Sequence, residues 1–558
     1  MYILRSGGNA FDAAIGAALA EGVLNPHMHT FGGELSALVF EAQNKKVFSI
    51  NGNTVAPKAA SIDWFHKNGY DLIPGAGLLA AGPCAAPGAF LAVLEQFGTW
   101  SFSKVVEPAL SLAEDGFPMH AALRGPAPSY LSLDFSISGN AEHFLKKWPS
   151  TAKVYLPDGK LPEVGQILKN QDLAHTFRRL IRAEERKKGG RVAGLRAVWE
   201  EFYEGDIARI ITSHAKEHGG LLDASDMADF RVDIEDAISL TYQGYDVHKC
   251  GAWSQGPVFL QQLAMLEGFD LKAMGHNSAD YIHTLIEVAK LAFADREQYY
   301  GDPRFTDVPL TQLLDRDYAR VRRNLIDPRQ ASLVQQPGDP RKGKALLERQ
   351  EVLAARNWGP GTVYVTVVDT ERNMASFTPS GAWIPSSPVV EGLGFPLGTR
   401  VQTFFLDEGH PNALVPGKRP RTTLTPTLVT RDGEANQVFG TPGGDQQDQW
   451  TLQYFLAVVE FGLDVQSAIE APRFSTAHFP TSFYPHSRQT GLVRVEDRVP
   501  KSVLGVLEER GHLLQVNPGW TEGDVLGIRV DRTHGTLQGG ADLRGEKSKR
   551  MPSHIIAW

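Results

Sequence analysis

The sequence predicts an α+β fold with its helices and sheets stacked in layers, and three observations carry that prediction. From about residue 88 to 330 the apolar spacing is mostly helical, and from 362 onward it turns into strand-length apolar runs split by turns. No repeat and no flexible linker separates the two regions. A length of 558 residues would accommodate roughly three or four domains of about 150 each. Helices, then strands, then a closing mixture without a linker instead describe one interlocked body.

The elements follow in order. "NAFDAAIGAALAEGVL", Asn9 to Leu24, is alanine-rich and amphipathic behind a Gly-Gly turn, the pattern of a helix packed closely on its neighbours. "SALVFEAQNKKVFSING" alternates on both sides of a polar turn, as a hairpin does. The helical stretch includes "GAFLAVLEQFG", "VVEPALSLAEDG", "DLAHTFRRLIRAEERK" and "SADYIHTLIEVAKLAFADREQYYG", interrupted by a strand pair in "ISLTYQGYDVHKC". Beyond 362, "TVYVTVVD", "NMASFT", "VQTFFLD", "TPTLVTRDG" and "NQVFGTPGG" read as strands and "DQWTLQYFLAVVEFG" as a helix.

Charge and composition exclude several functions. A net charge of −8 argues against nucleic acid or an anionic membrane as partner. The one basic run, "RAEERKKGGR" (Arg182 to Arg191), fits a solvated helix end. Cys84 and Cys250 are too few for a zinc site or a disulfide framework and fit the core. No apolar run reaches the ~18 residues of a membrane helix, and no basic segment leads into an apolar one, so the expected compartment is the cytoplasm. The helix pattern starts almost at residue 1, which leaves room for a segment ahead of it.

Three stretches carry chemistry. In "WGPGTVYVTVVDTERNMASFT" (Trp358 to Thr378) a Pro-Gly turn runs into Thr362. Thr is a good strand residue and Gly a good turn residue, which is one explanation. The other is a cut between Gly361 and Thr362 that makes Thr362 a new N-terminus. A threonine hydroxyl needs a base, yet none of the 17 histidines stands at a telling spacing and no G-x-S-x-G elbow is present. An N-terminal threonine supplies its own base, an α-amine with a pKa of about 7.7–8.0. Gly361 leaves its carbonyl open to the Thr362 hydroxyl, whose attack would cut the chain by an N-to-O shift.

In "FGTPGGDQQDQW" the adjacent Gly443 and Gly444 end a strand and open a helix, a turn able to aim backbone N–H groups at an oxyanion. An ordinary strand-to-helix turn has the same pattern. No G-K-[ST] follows to make a phosphate loop, and "GLGFPLG" lacks the strand–helix frame of a dinucleotide site, so no cofactor is expected. In "PGKRPRTTLTPTLV" the hydroxyls of Thr422 and Thr423 can hold a substrate carboxylate or carbonyl while Arg419 and Arg421 add charge; the alternative is a strand edge with a basic turn.

Taken in order, these stretches resemble the γ-glutamyltranspeptidase family of N-terminal-nucleophile hydrolases over nearly the whole chain. "ILRSGGNAFDAAIGAALAEGVLNPHMHTFGGE" resembles its opening helix and loop, and "SQGPVFLQQLAMLEGFDL" and "AKLAFADREQYYGDP" resemble its middle helices. The resemblance implies a four-layer αββα sandwich, without metal or cofactor. It implies self-cleavage into a large subunit, 1–361, and a small subunit, 362–558, that stay together. It also implies cleavage of an amide or γ-glutamyl bond of a small molecule through an acyl-enzyme. Thr362 matches the nucleophile and Ser380 a hydroxyl assisting its amine. Thr422 and Thr423 match the pair at the substrate carboxylate, and Gly443 and Gly444 the oxyanion hole.

The departures shape the expected substrate. Where the family's γ-glutamyl enzymes hold the substrate α-carboxylate with an arginine, this chain has Glu114. An asparagine after the Ser380 position is replaced by Ala382, and Gln and Asp at the α-amino group by Arg400 and Thr403. The pocket lid is shortened to "LDEGHPNALVPGK". Two lost charge-assisted contacts lower γ-glutamyl recognition by about 10² to 10⁴. The pattern is closer to the oxamate amidohydrolase and acylase-like branch. Arg400 either receives a small anionic acyl group such as oxalyl or makes a structural salt bridge. The leading expectation is a threonine amidohydrolase or acyltransferase for another acyl group. A true γ-glutamyltransferase or glutathione hydrolase, and an unprocessed non-catalytic homologue, are the alternatives.

Overall fold

The computed structural model describes residues 1–126, 134–342, 344–345, 361–547 and 552–557. Residues 358–360, which include the proline of the expected Pro-Gly turn, lie outside them. In chain order, β1 (Glu34–Glu41), β2 (Lys46–Gly52), β3 (Asp233–Asp236), β4 (Ile238–Tyr242), β5 (Tyr245–Lys249), β6 (Val365–Val368), β7 (Met374–Ser380), β8 (Thr427–Arg431), β9 (Glu434–Gly440), β10 (Leu526–Asp531) and β11 (Thr536–Ala541) build two antiparallel sheets. One runs β6-β7-β1-β2-β3 and the other β11-β10-β9-β8-β5-β4.

Strand alternation decides how these sheets stack. Leu35, Ala37 and Val39 of β1 face one way, into helices α1 (Ala10–Leu24), α2 (Ala86–Phe97), α3 (Phe102–Glu114) and α4 (Gln171–Arg186). Leu38 and Phe40 face the other way and meet Leu428 and Val438 of the second sheet. The next residues along those strands, Val429 and Phe439, point onward into α5 (Gly256–Leu266), α6 (Ala279–Tyr299) and α7 (Gln447–Val459). Helices, sheet, sheet, helices is the expected αββα sandwich.

Both sheets draw strands from both sides of residue 361. β7 pairs with β1 from Glu34↔Ser380 to Phe40↔Met374, and β8 pairs with β5 at Leu428↔His248. The Asp369 carboxylate, just after β6, also accepts from the Ala10 backbone N–H at 3.0 Å, at the start of α1. A break between residues 361 and 362 would therefore leave two fragments sharing continuous sheets.

The helices and most strands fall where their periodicity places them, with three differences. α1 opens on a capping box, Asn9 with Asp12, but it is buried on nearly every face instead of being amphipathic. Its small alanines let neighbours cover the sides that a surface helix would give to water. "VQTFFLD" is not a strand: a 3₁₀ turn, Arg400–Thr403, is followed by an isolated bridge from Phe405 to Ala413. Five successive side chains there, Arg400 to Phe404, are all buried, which a two-sided strand ladder does not require of polar residues. Regular pairing after residue 361 starts at Val365, not at Thr362, which makes only an isolated bridge to Ser380. Cys84 and Cys250 are core residues, and burial pushes both thiols up to about 12. Among the described residues no helix is long and apolar enough to cross a membrane.

Burial also holds several histidines neutral. It lowers His27, His478 and His512 to about 3 and His29 and His248 to about 4, from an ordinary 6.5. Below pH ~6.5 these groups take up protons when the chain unfolds but not while it is folded. Stability is then complete above that pH and falls as pH drops toward about 4, each site contributing a slope of up to ~1.4 kcal/mol per pH unit. The urea midpoint at pH 5 is expected well below that at pH 7.5; equal midpoints would contradict the burial of neutral imidazoles.

Candidate active site

The site grows from the end of β7. Antiparallel pairing sets Ser380 opposite Glu34, the first residue of β1, and the bridge from Ser380 brings in Thr362. The Val363 backbone N–H donates to the Pro379 carbonyl at 3.0 Å and fixes the approach of the two segments. A Cβ at Gly33 would lie 2.2 Å from the Ser380 carbonyl oxygen, so the strand end can come this close only beside glycine.

Thr362 and Ser380 are both buried, with hydroxyl oxygens 3.1 Å apart. The Thr362 hydroxyl also lies 2.8 Å from the carbonyl oxygen of Gly361. The Ser380 hydroxyl donates to that same oxygen at 2.7 Å, and the Trp383 indole N–H donates to it at 2.6 Å. Arg400 donates through Nη2 to the Ser380 oxygen at 2.9 Å and through Nε to the Glu34 carboxylate. A guanidinium has donors only, so Ser380 accepts from Arg400 and its single proton is left for Gly361.

Of the two roles open to Arg400, the salt bridge is the one formed. The side chain is 1% exposed, ion-paired with Glu34, and not on the cavity wall. Its Nη1 is buried without a hydrogen-bond partner among the described residues. Thr403 serves the same turn, its hydroxyl donating to the Arg400 carbonyl at 2.9 Å.

Gly361, Thr362 and Gly443 open onto one cavity, whose walls near them include His27, Phe135, Trp450 and Phe483. Gly443 has φ +133°, and a Cβ there would meet the Trp450 ring at 2.2 Å. Gly444, with φ +58°, starts a 3₁₀ turn that runs into α7. The turn is pinned by Asp445, which accepts from Arg296 at 2.5 Å and from the Ser482 hydroxyl at 2.6 Å.

Other expected residues sit behind this cavity. Gly444 is not on its wall, and neither are Thr422 and Thr423. Gln255 joins these two groups: its backbone N–H donates to the Thr422 carbonyl at 3.0 Å and its side chain to the Gly444 carbonyl at 3.2 Å. The Thr423 hydroxyl is buried without a partner among the described residues. Arg419 and Arg421 do not offer free charge to a substrate as expected. They are buried against Asp233 at 3.0 Å and Glu297 at 2.8 Å. Glu114 lies away from the cavity, where Arg178 donates to it at 3.1 Å.

Sequence reasoning missed Glu34, Trp383 and Gln255. An acid leading an apolar strand in "GGELSALVF" signals that Glu34 has a partner, but Arg400 is 366 residues away. Trp383 carried no signal. One buried group among the described residues has metal-ligating side chains, His283, Glu287 and His512. Lys290 already neutralises Glu287 at 2.6 Å and His283 bonds His512 at 2.9 Å, so these atoms are engaged with one another.

Known proteins share this architecture. The family model for gamma-glutamyltranspeptidase matches residues 1–551. The glutathione hydrolase-like YwrD proenzyme of Bacillus subtilis (strain 168) is 32% identical over 554 residues, covering 98% of this chain and 94% of its own length. The solved structure of LmbA2991HD superposes with a TM-score of 0.92 at 39% identity, over 100% of this chain and 96% of that one. The cephalosporin acylase of Bacillus halodurans gives 0.84 at 30% identity, over 100% and 93%. With the αββα frame, the paired hydroxyls at the strand end and a family match across almost its full length, the chain belongs to the γ-glutamyltranspeptidase family of hydrolases and acylases.

Proposed function

We propose that the protein is a self-cleaving threonine amidohydrolase whose acyl group is not a standard γ-glutamyl. The observation that carries this reading is the contact among Thr362, Ser380 and the Gly361 carbonyl, at 2.7 to 3.1 Å, on the wall of a cavity. Breaking the Gly361–Thr362 bond turns Thr362 into an N-terminal residue with hydroxyl and α-amine on one carbon frame. The amine takes the hydroxyl proton as the oxygen attacks a substrate amide. Ser380, held by Arg400, sits within reach of that centre. Gly443, on the cavity wall, and Gly444 just behind it at the mouth of α7 are the candidates to turn backbone N–H groups toward the developing oxyanion. Water then releases the acyl group, or an amine acceptor takes it.

Two features support a different acyl group. Glu114 brings no cation to the cavity, and Arg400 is already neutralised by Glu34. The wall near Thr362 is aromatic, with Phe135, Trp450 and Phe483. Against that aromatic part of the wall, the α-carboxylate and α-ammonium of a γ-glutamyl head would lose solvation, and Asp445, a charged residue on the wall beside Gly443, is already paired with Arg296. Oxamate remains the simplest non-γ-glutamyl amide to try, with Thr422 and Thr423 as the hydroxyls behind the pocket.

Two measurements test this. Intact mass of the purified protein should give fragments of residues 1–361 and 362–558, while Thr362→Ala gives one uncut chain. An uncut wild type would favour a non-catalytic homologue. Ammonia release from oxamate is then compared with product release from a γ-glutamyl anilide. The anilide is expected to be turned over poorly. Strong anilide turnover with weak oxamate turnover would instead identify a glutathione hydrolase with altered contacts.

A further inference from the structure

The geometry points to a built oxyanion site for the self-cleavage step, in which the Trp383 indole N–H and the Ser380 hydroxyl hold the carbonyl oxygen of Gly361. This rests on the self-cleavage proposed above and adds a catalytic residue, Trp383, for which the sequence carried no signal. It also separates the oxyanion site used in maturation from the one that Gly443 and Gly444 offer to a substrate.

The argument starts from how many donors one oxygen receives. A carbonyl oxygen has two lone pairs, and that of Gly361 already accepts from Trp383 at 2.6 Å and Ser380 at 2.7 Å. Both donors are backed by the same cation. Arg400 donates to the Ser380 oxygen at 2.9 Å, and its guanidinium lies 5.3 Å from the centre of the Trp383 ring. A positive charge on either group makes its proton a stronger donor to a developing negative charge. The Thr362 hydroxyl, 2.8 Å from the same carbonyl oxygen, has a second acceptor in Ser380 at 3.1 Å, to which its proton can turn as its oxygen approaches carbon.

The step balances. Thr362 Oγ1 forms a bond to the Gly361 carbonyl carbon, and the π pair moves onto the oxygen held by Trp383 and Ser380. When that pair returns, the C–N bond breaks. The hydroxyl proton ends on the departing nitrogen, leaving a free amine and an ester between Gly361 and Thr362. Water adds to the ester, frees the Gly361 carboxylate and restores the Thr362 hydroxyl. The indole N–H also donates to the Met28 carbonyl at 3.1 Å, so the ring keeps an anchor after Gly361 leaves.

The test follows self-cleavage of the full chain made by cell-free translation, quenched in acid at intervals and read by intact mass. Trp383→Phe removes the donor and keeps an aromatic ring. A chain carrying 3-benzothienylalanine at position 383 keeps the bicyclic shape and lacks only the N–H, so it decides the matter if Trp383→Phe misfolds. Cleavage of the benzothienylalanine chain is expected to slow by about 10²-fold or more, as for loss of one oxyanion donor. Its thermal unfolding should match that of uncut Thr362→Ala. Cleavage at the wild-type rate, with Thr362→Ala still uncut, overturns the role of Trp383 and leaves the self-cleavage reading intact. A wild type that stays whole, or a Thr362→Ala chain that splits, overturns both.

Discussion

The pairing of β7 with β1 is the constraint on which the rest depends. Its seven-residue register joins segments more than 330 positions apart and ends with Ser380 opposite Glu34. A shift by one residue would turn every side chain of β7 to the other face. Ala375 and Phe377 would leave the helical layer, Met374 would leave the space between the sheets, and Ser380 would point away from Thr362. The hydrophobic cost of that slip falls on the whole strand, so the apolar core enforces the position of one hydroxyl. The strand that builds the site is also the strand that ties the two sides of residue 361 together.

Charge is then used sparingly at the site itself. Arg400 and Glu34 are almost fully buried, and an ion pair in such a place offsets its desolvation only when the remaining donors and acceptors are used. Here the guanidinium spends one donor on Glu34 and one on Ser380 and packs over the rings of Trp383 and Phe483, but Nη1 has no partner among the described residues, so the offset is incomplete. What this arrangement provides is direction: it removes the freedom of the Ser380 hydroxyl to rotate. A second buried network does the same across the cavity. Arg296 links Asp445 to Glu297, and Arg421 closes on Glu297, so the glycine turn at α7 is fixed by a network of which only Asp445 reaches the cavity wall. The competing pulls on Glu297 settle in favour of the cations, which hold its carboxyl well below the usual range despite burial.

Much of the frame was legible because periodicity reports burial. β1 and β2 alternate, α3 and α4 repeat at helical spacing, and each packs as that spacing requires. Two of the misreadings have one cause. At α1 and at Arg400–Thr403 the chain is buried on all sides, so neither pattern contrasts core with solvent. The site was legible only where the chemistry is local, as in Gly361-Thr362 and Gly443-Gly444. Its wiring was not. Glu34 to Arg400, Trp383 to Met28 and Gln255 to Gly444 join residues 189 to 366 positions apart, and nothing in either partner's neighbourhood names the other.

On the self-cleavage proposed above, this site would handle two carbonyl oxygens, and they would not occupy the same place. The Gly361 carbonyl oxygen is held on the side of Ser380 and Trp383, next to the strand bridge from Thr362 to Ser380. A substrate carbonyl attacked by Thr362 would come from the cavity, where Gly443 lies on the wall. One nucleophile with two oxyanion sites would let the proposed maturation proceed without prefiguring the substrate: a change in the cavity wall would leave the donors to Gly361 in place. It would also make maturation end itself. Departure of the Gly361 carboxylate would take away the acceptor of the Ser380 proton. The hydroxyl that had held the Gly361 oxygen would then be available to orient the Thr362 amine, since Ser380 lies against Thr362 at 3.1 Å.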